Sequence, residues 1–221
     1  MNKFLLSVLL FSISCAVNAN TVNLAYVSPN TTIISKVAIT GSPASGRNVY
    51  IGSYNLREQG ASNTLVGFCV DPFQYASTAY LAYDKSSLDQ SDFNNNGATR
   101  FTNAQKLYDN AYATLGTDAE KTAGFHLALW EIFHDDLSLT SGIIQGLSSS
   151  NANMLANANT FLGALAGWKV HHAFDLTFYK NDAKQDYLTA TPSAVPLPAA
   201  LPLLLSGLVG FGVVRRRKTA A

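Results

Sequence analysis

The order of apolar and polar positions divides the chain into a strand-like first half and a helix-like second half. Residues 21–27, 31–40, 48–54 and 64–70 are rich in Val, Ile, Thr and Tyr, which suit a pleated, half-buried surface. Between them, Ser-Pro-Asn, Gly-Ser-Pro-Ala-Ser-Gly and Gly-Ala-Ser-Asn predict turns. Pro29 and Pro43 fall in those turns, as expected of residues that cannot donate to a ladder. Residues 89–99, polar and Asn-rich, predict an exposed loop. Beyond it the period changes. Ala104, Leu107, Tyr108 and Ala111 recur at helical spacing in a predicted helix over 102–115, closed by Gly116. Thr117 as N-cap and Glu120 as its capping-box partner predict a second helix running to about His134. Phe125, Ala128, Leu129 and Ile132 form its buried face. A third helix fits 151–166, built on Leu155, Ala158, Leu162 and Leu165 and ended by Gly167. Residues 173–179 then alternate again, Phe174, Leu176 and Phe178 against Asp175, Thr177 and Tyr179. The predicted fold class is α+β: a β-rich N-terminal half, a helical segment and one or two returning strands.

The two ends read differently from this body. Residues 1–19 have a secretory signal layout: Lys3, a short apolar run over 4–13, and Val17-Asn18-Ala19 as a small-residue cleavage site. The residues ahead of Cys15, Ser12-Ile13-Ser14, lack the Leu of a lipoprotein box. At the other end, residues 194–214 carry no charged side chain, and Arg215, Arg216, Arg217 and Lys218 follow without a gap. About 20 apolar residues match a bilayer core of roughly 30 Å, which predicts one C-terminal transmembrane helix. The basic run would stay on the cytoplasmic side. The chain thus divides into a signal peptide (1–19), an extracytoplasmic α+β domain (20–191) and a sorting or transmembrane tail (192–221). Export through the Sec translocon follows from the signal peptide.

Val195, Pro196, Leu197 and Pro198, then an apolar stretch containing Gly207, Gly210 and Gly212, then the Arg cluster, make a three-part tail. It resembles the PEP-CTERM sorting signal of Gram-negative bacteria in its Val-Pro-Leu-Pro-Ala-Ala variant, with Leu197 where the usual Glu stands. The resemblance implies processing by an exosortase-type membrane enzyme and a route through the inner membrane. The destination would be the cell surface or extracellular matrix, tied to exopolysaccharide and biofilm.

Charge and cysteine content narrow the domain between the ends. Of 15 Lys and Arg, Lys3 and the four tail residues lie outside it, leaving 10 against all 14 acids, a net charge near −4. Without a positive footprint, nucleic acid is not an expected partner. Of the two cysteines, Cys15 leaves with the signal peptide, so Cys69 stands alone and no intramolecular disulfide is expected.

Two segments carry candidate chemistry. Phe68-Cys69-Val70-Asp71-Pro72 ends a predicted strand, and His126-Leu127-Ala128-Leu129-Trp130 lies on the second long helix. Together they resemble the thioester-domain family of bacterial surface adhesins. There an aromatic-Cys-(Val/Ile)-Asp strand meets a Gln-x-Ala-(Ile/Leu)-Trp helix, and Cys and Gln form an internal thioester. Gln185-Asp186-Tyr187-Leu188 also resembles the end of such domains. Cys69 matches the Cys, but His126 occupies the Gln position. Imidazole has no acyl carbon, so the bond is not expected here and the resemblance implies a fold more than an activity. Cys69 then reads either as a buried hydrophobe or as a thiolate paired with His126.

His126, Trp130 and His134 form an i, i+4, i+8 stripe. A metal site joining His134, Asp135 or Asp136 and the pair His171-His172 is imaginable, but the ordering of a zinc protease is missing. No metal or cofactor is expected, and His134 reads as a solvated helix end. Trp168, Tyr179, Tyr187 and the tyrosines over 75–83 would stack on sugars if exposed. The function expected from sequence is a non-enzymatic exported surface or matrix protein. The alternative is an adhesin-like or carbohydrate-binding module on a C-terminal membrane anchor.

Overall fold

The computed structural model of the chain describes residues 20–93 and 95–194. Six strands form a closed barrel: β1 (Asn20–Ser35), β3 (Val49–Glu58), β4 (Leu65–Cys69), β8 (Tyr187–Pro192), β7 (Phe174–Lys180) and β5 (Leu81–Ser87), in that spatial order. A separate two-stranded ladder joins β2 (Ala38–Ile39) to β6 (Ile144–Gln145). Three helices complete the fold: α1 (Gly97–Ala111), α2 (Ala119–His134) and α3 (Ala152–Ala164). The chain divides into two units, Met1–Thr191 and Pro192–Ala221.

The first two predicted strands are one. β1 runs through Pro29 and pairs with β3 from Leu24↔Glu58 to Ser35↔Val49, with register shifts at Tyr26/Ser28 and Pro29/Thr32. The prediction that Pro29 breaks the strand fails because the ladder is irregular there, and an irregular ladder tolerates a residue without an N–H. Gly52 sits opposite this irregularity at φ +141°, and a Cβ on it would lie 2.1 Å from the Thr31 carbonyl oxygen. No other residue type fits so close an approach. The first residues of β1 pair with β5, Asn20↔Lys85 to Leu24↔Leu81, which closes the ring.

α2 is the centre of the helical layer. It packs on α3, β3, β1 and α1, and every residue from Thr122 through Phe133 is buried. The one-sided face of Phe125, Ala128, Leu129 and Ile132 predicted from periodicity is thus only part of its contact. Each fully buried Leu, Ile or Phe contributes about 1.5–3 kcal/mol of transfer free energy. Gly124 permits the closest approach: a Cβ there would lie 2.5 Å from Asn157 Cβ and 2.9 Å from the Ala158 nitrogen of α3.

Several boundaries differ from prediction. The N-cap of α2 is Asp118, whose carboxylate accepts the Lys121 N–H at 2.9 Å. Glu120 closes no capping box with Thr117. It accepts instead from Asn151 Nδ2 (2.9 Å) and Asn153 Nδ2 (2.7 Å), tying the start of α3 to the start of α2. α1 begins at Gly97, inside the predicted loop. β5 was not predicted. The returning strands β7 and β8 complete the barrel.

The predicted fold class also needs correction at its last element. Among the described residues no helix is long and apolar enough to cross a membrane. α2 has 16 residues, about 24 Å at 1.5 Å per residue, short of a roughly 30 Å core. It is also buried within the protein and carries His126 and Glu131. The predicted signal peptide (1–19) lies outside the described residues. So do Val195, Pro196, Leu197 and Pro198 of the sorting motif, and Arg215, Arg216, Arg217 and Lys218 of the basic stop.

Candidate functional site

Cys69 is the last residue of β4 and pairs across the ladder with Tyr187. Neighbours along a strand face opposite sides. Phe68 meets the helices, its ring 4.9 Å from that of Phe125, so Cys69 faces the other way. The thiol is 0% exposed and donates to the Asp71 carbonyl oxygen at 3.3 Å. Burial pushes its pKa well up, and the Asp71 charge adds to this. A protonated, inaccessible thiol is a poor nucleophile.

His126 is brought to Cys69, but not to its sulfur. The Gly52 N–H donates to His126 Nδ1 at 2.9 Å, which fixes the proton on Nε2. That N–H donates to the Cys69 carbonyl oxygen at 2.7 Å. Burial lowers the imidazole pKa to about 3, against the hydrogen bond to Cys69. The ring is therefore neutral, and both nitrogens are spent on backbone. Of the two sequence readings of Cys69, the buried hydrophobe holds and the thiolate pair does not.

The stripe on α2 continues the same pattern. Trp130 Nε1–H donates to the Cys69 carbonyl oxygen at 2.9 Å, and His134 Nε2 bonds the Val70 carbonyl. Helical spacing thus sets three ring nitrogens along the two carbonyls at the end of β4. His134 is not a solvated helix end, because its ring packs edge-on against Phe73 at 5.2 Å. His171 and His172 present their backbone N–H groups to the Asp109 carboxylate, at 2.7 and 2.9 Å. Among the described residues, the side chains whose metal-ligating atoms converge are Glu131, Asp135 and Asp136, without a histidine.

A cavity of about 360 Å³ opens where β4 ends, lined by Asp71, Phe73, Asp92, His134, Lys180 and Asp186 among others. Its carboxyls are all raised by burial. Asp71 is raised although Phe73 N–H donates to it at 2.8 Å. Asp92 is raised by burial, with the Asp89 charge adding. Asp186 is pushed up to about 7, burial and the nearby Asp71 outweighing the Asn181 N–H at 2.7 Å. The site can therefore offer a mixture of carboxyl and carboxylate groups, a lysine and an aromatic wall. Asp71 and Asp186 lie inside two of the sequence motifs without an evident role there, and Asp92 and Lys180 lie in no motif. Strand order was the missing signal, since it alone brings these residues together.

Of the expected sugar-stacking aromatics, Tyr83, Tyr179 and Tyr187 are buried, while Tyr75 and Tyr80 are 59% and 42% exposed. Trp168 is half-buried, its ring 6.4 Å from that of Phe161. Comparison with family models, curated proteins and solved structures finds no match, so none of the three identifies a PEP-CTERM tail or a thioester-domain fold.

Proposed function

We propose that this chain is an exported, non-enzymatic surface or extracellular-matrix protein of a Gram-negative bacterium. In this reading it passes the Sec translocon, is sorted by exosortase-type machinery and works within exopolysaccharide or biofilm. The observation that carries the non-enzymatic part is the state of Cys69 and His126. The thiol is buried with its pKa well raised, and the histidine that bonds its carbonyl, His126, is neutral and spent on backbone. This supports a domain that acts through its surface and not through covalent capture or cysteine chemistry. Replacing Cys69 by Ala in the native host should leave surface retention unchanged. Loss of retention by a folded Cys69→Ala protein would overturn the reading. The sorting part is tested by intact mass of the protein from envelope and medium. A C-terminus near Val195–Pro198 is expected, and a mass retaining 215–221 would sink exosortase processing.

The acidic cavity favours a second reading, a carbohydrate-binding module. Carboxylates and a lysine beside an aromatic wall provide both hydroxyl partners and an apolar face for a sugar ring. Retention that survives digestion of the extracellular polysaccharide would count against it.

A further inference from the structure

We propose that Glu131, Asp135 and Asp136, at the C-terminal end of α2, bind a divalent cation of the calcium class. One carboxylate oxygen from each lies within 4.8 Å of the others. Oxygens bound to one calcium at 2.3–2.6 Å are separated by at most about 5 Å, so a single ion can reach all three. The second observation is on Glu131 itself. Its side chain is fully buried, and its Oε1 has no hydrogen-bond partner. Its Oε2 accepts the Ser138 N–H at 3.2 Å, and the Leu137 N–H also reaches the carboxyl. A buried carboxylate oxygen without a donor is costly to desolvate, and either a proton or a bound cation relieves that cost.

Among the described residues no side chain supplies that cation. Among the described residues, the ion pair is Lys85–Glu58, elsewhere in the fold. Arg100 lies nearby, but its guanidinium donates to the carbonyls of Ile132 (2.7 Å) and Asp135 (3.1 Å). The helix C-terminus adds its own partial negative charge to the three carboxylates.

The ligands are held in place. Asp136 accepts from Ser138 N–H (3.0 Å) and Ser141 Oγ–H (2.8 Å). The Asp135 carboxylate accepts the Ile144 N–H and fills the space a Cβ on Gly142 would need. A cleft of about 190 Å³ lined by Asp135 and Asp136 opens beside them. An all-oxygen set of this kind suits calcium and not the softer transition metals.

The test titrates calcium chloride into the full chain, stripped with EDTA and exchanged into metal-free buffer, by calorimetry and by thermal melting. Saturable binding is expected with a dissociation constant on the order of 10⁻⁴–10⁻³ M, the range of extracellular calcium modules, and a melting temperature that rises with calcium. Glu131→Gln should abolish the calcium response. Asp136→Asn alters an exposed side chain and should weaken binding by about tenfold or more while the variant still folds. Absence of saturable heat and of any calcium-dependent melting shift overturns the proposal. An Asp136→Asn protein with unchanged calcium affinity overturns it equally, whatever becomes of Glu131→Gln.

Discussion

His126 and Cys69 meet across 2.7 Å through an imidazole N–H and a backbone carbonyl, and the thiol takes no part in the contact. The histidine thereby clamps β3, through Gly52, to the end of β4. His126→Ala would leave the buried Gly52 N–H without a partner and open a cavity beside Trp130. A loss of about 2–4 kcal/mol is expected in urea unfolding. A change below about 0.5 kcal/mol would mean that the clamp carries no weight.

Cys69 should behave as a core residue. In the native protein its thiol should resist alkylation, becoming reactive only as the protein unfolds in denaturant. Cys69→Ala should cost about 1–2 kcal/mol. Rapid stoichiometric labelling of the folded chain would contradict the burial.

Two helical glycines should respond oppositely to the same substitution. Gly124→Ala drives a methyl into Asn157 and the α3 backbone and should cost about 1–3 kcal/mol. Gly163 lies on α3 with nothing within 4 Å of its would-be Cβ. Gly163→Ala should stabilise by up to about 1 kcal/mol, because alanine favours a helix. Equal melting temperatures for the two variants would show that α2 and α3 do not meet at Gly124.

Asp186 makes stability depend on pH in a direction that can be isolated. Its carboxyl lies at about 7 in the fold against 3.8 for the free group, so the folded state holds the proton more tightly than the unfolded chain. Its contribution is fully present below about pH 4 and is lost as pH rises through about 7. His126 acts oppositely: its pKa of about 3 means stability lost as pH falls below about 6.5. Comparison with Asp186→Asn separates the two, because the amide oxygen can still accept the Asn181 N–H. The variant should match the wild type near pH 4 and exceed it near pH 8 in melting temperature. A difference that stays constant with pH would remove Asp186 as the cause.

The helices were legible because periodicity reports local geometry. Ala104, Leu107, Tyr108 and Ala111 all turned inward on α1 as their spacing required. What failed was decided by partners distant in sequence. β5 hides because Leu81-Ala82-Tyr83-Asp84 has little apolar alternation, and its strand character comes from β1 on one side and β7 on the other. Pro29 reads as a break until β3 is seen to tolerate an irregular ladder there. Thr117 was read as the cap of α2, but its neighbour Asp118 does the capping, a one-residue shift that residue type alone does not resolve. The candidate site was half legible. Two motifs set Cys69 beside His126 in the sequence reading, but residue type alone could not show that the imidazole reaches the Cys69 carbonyl and not its sulfur.

The position of β8 has a consequence for how the protein comes into being. β8 lies between β4 and β7, and Cys69 finds its ladder partner in Tyr187. Until that segment arrives, β4 and β7 each expose an unpaired strand edge. A chain delivered N-terminus first thus cannot seal its barrel early. Loop closure over so long a separation also makes the final step slow. The last strand acts as a latch, and the polypeptide stays threadable until nearly all of the domain has emerged.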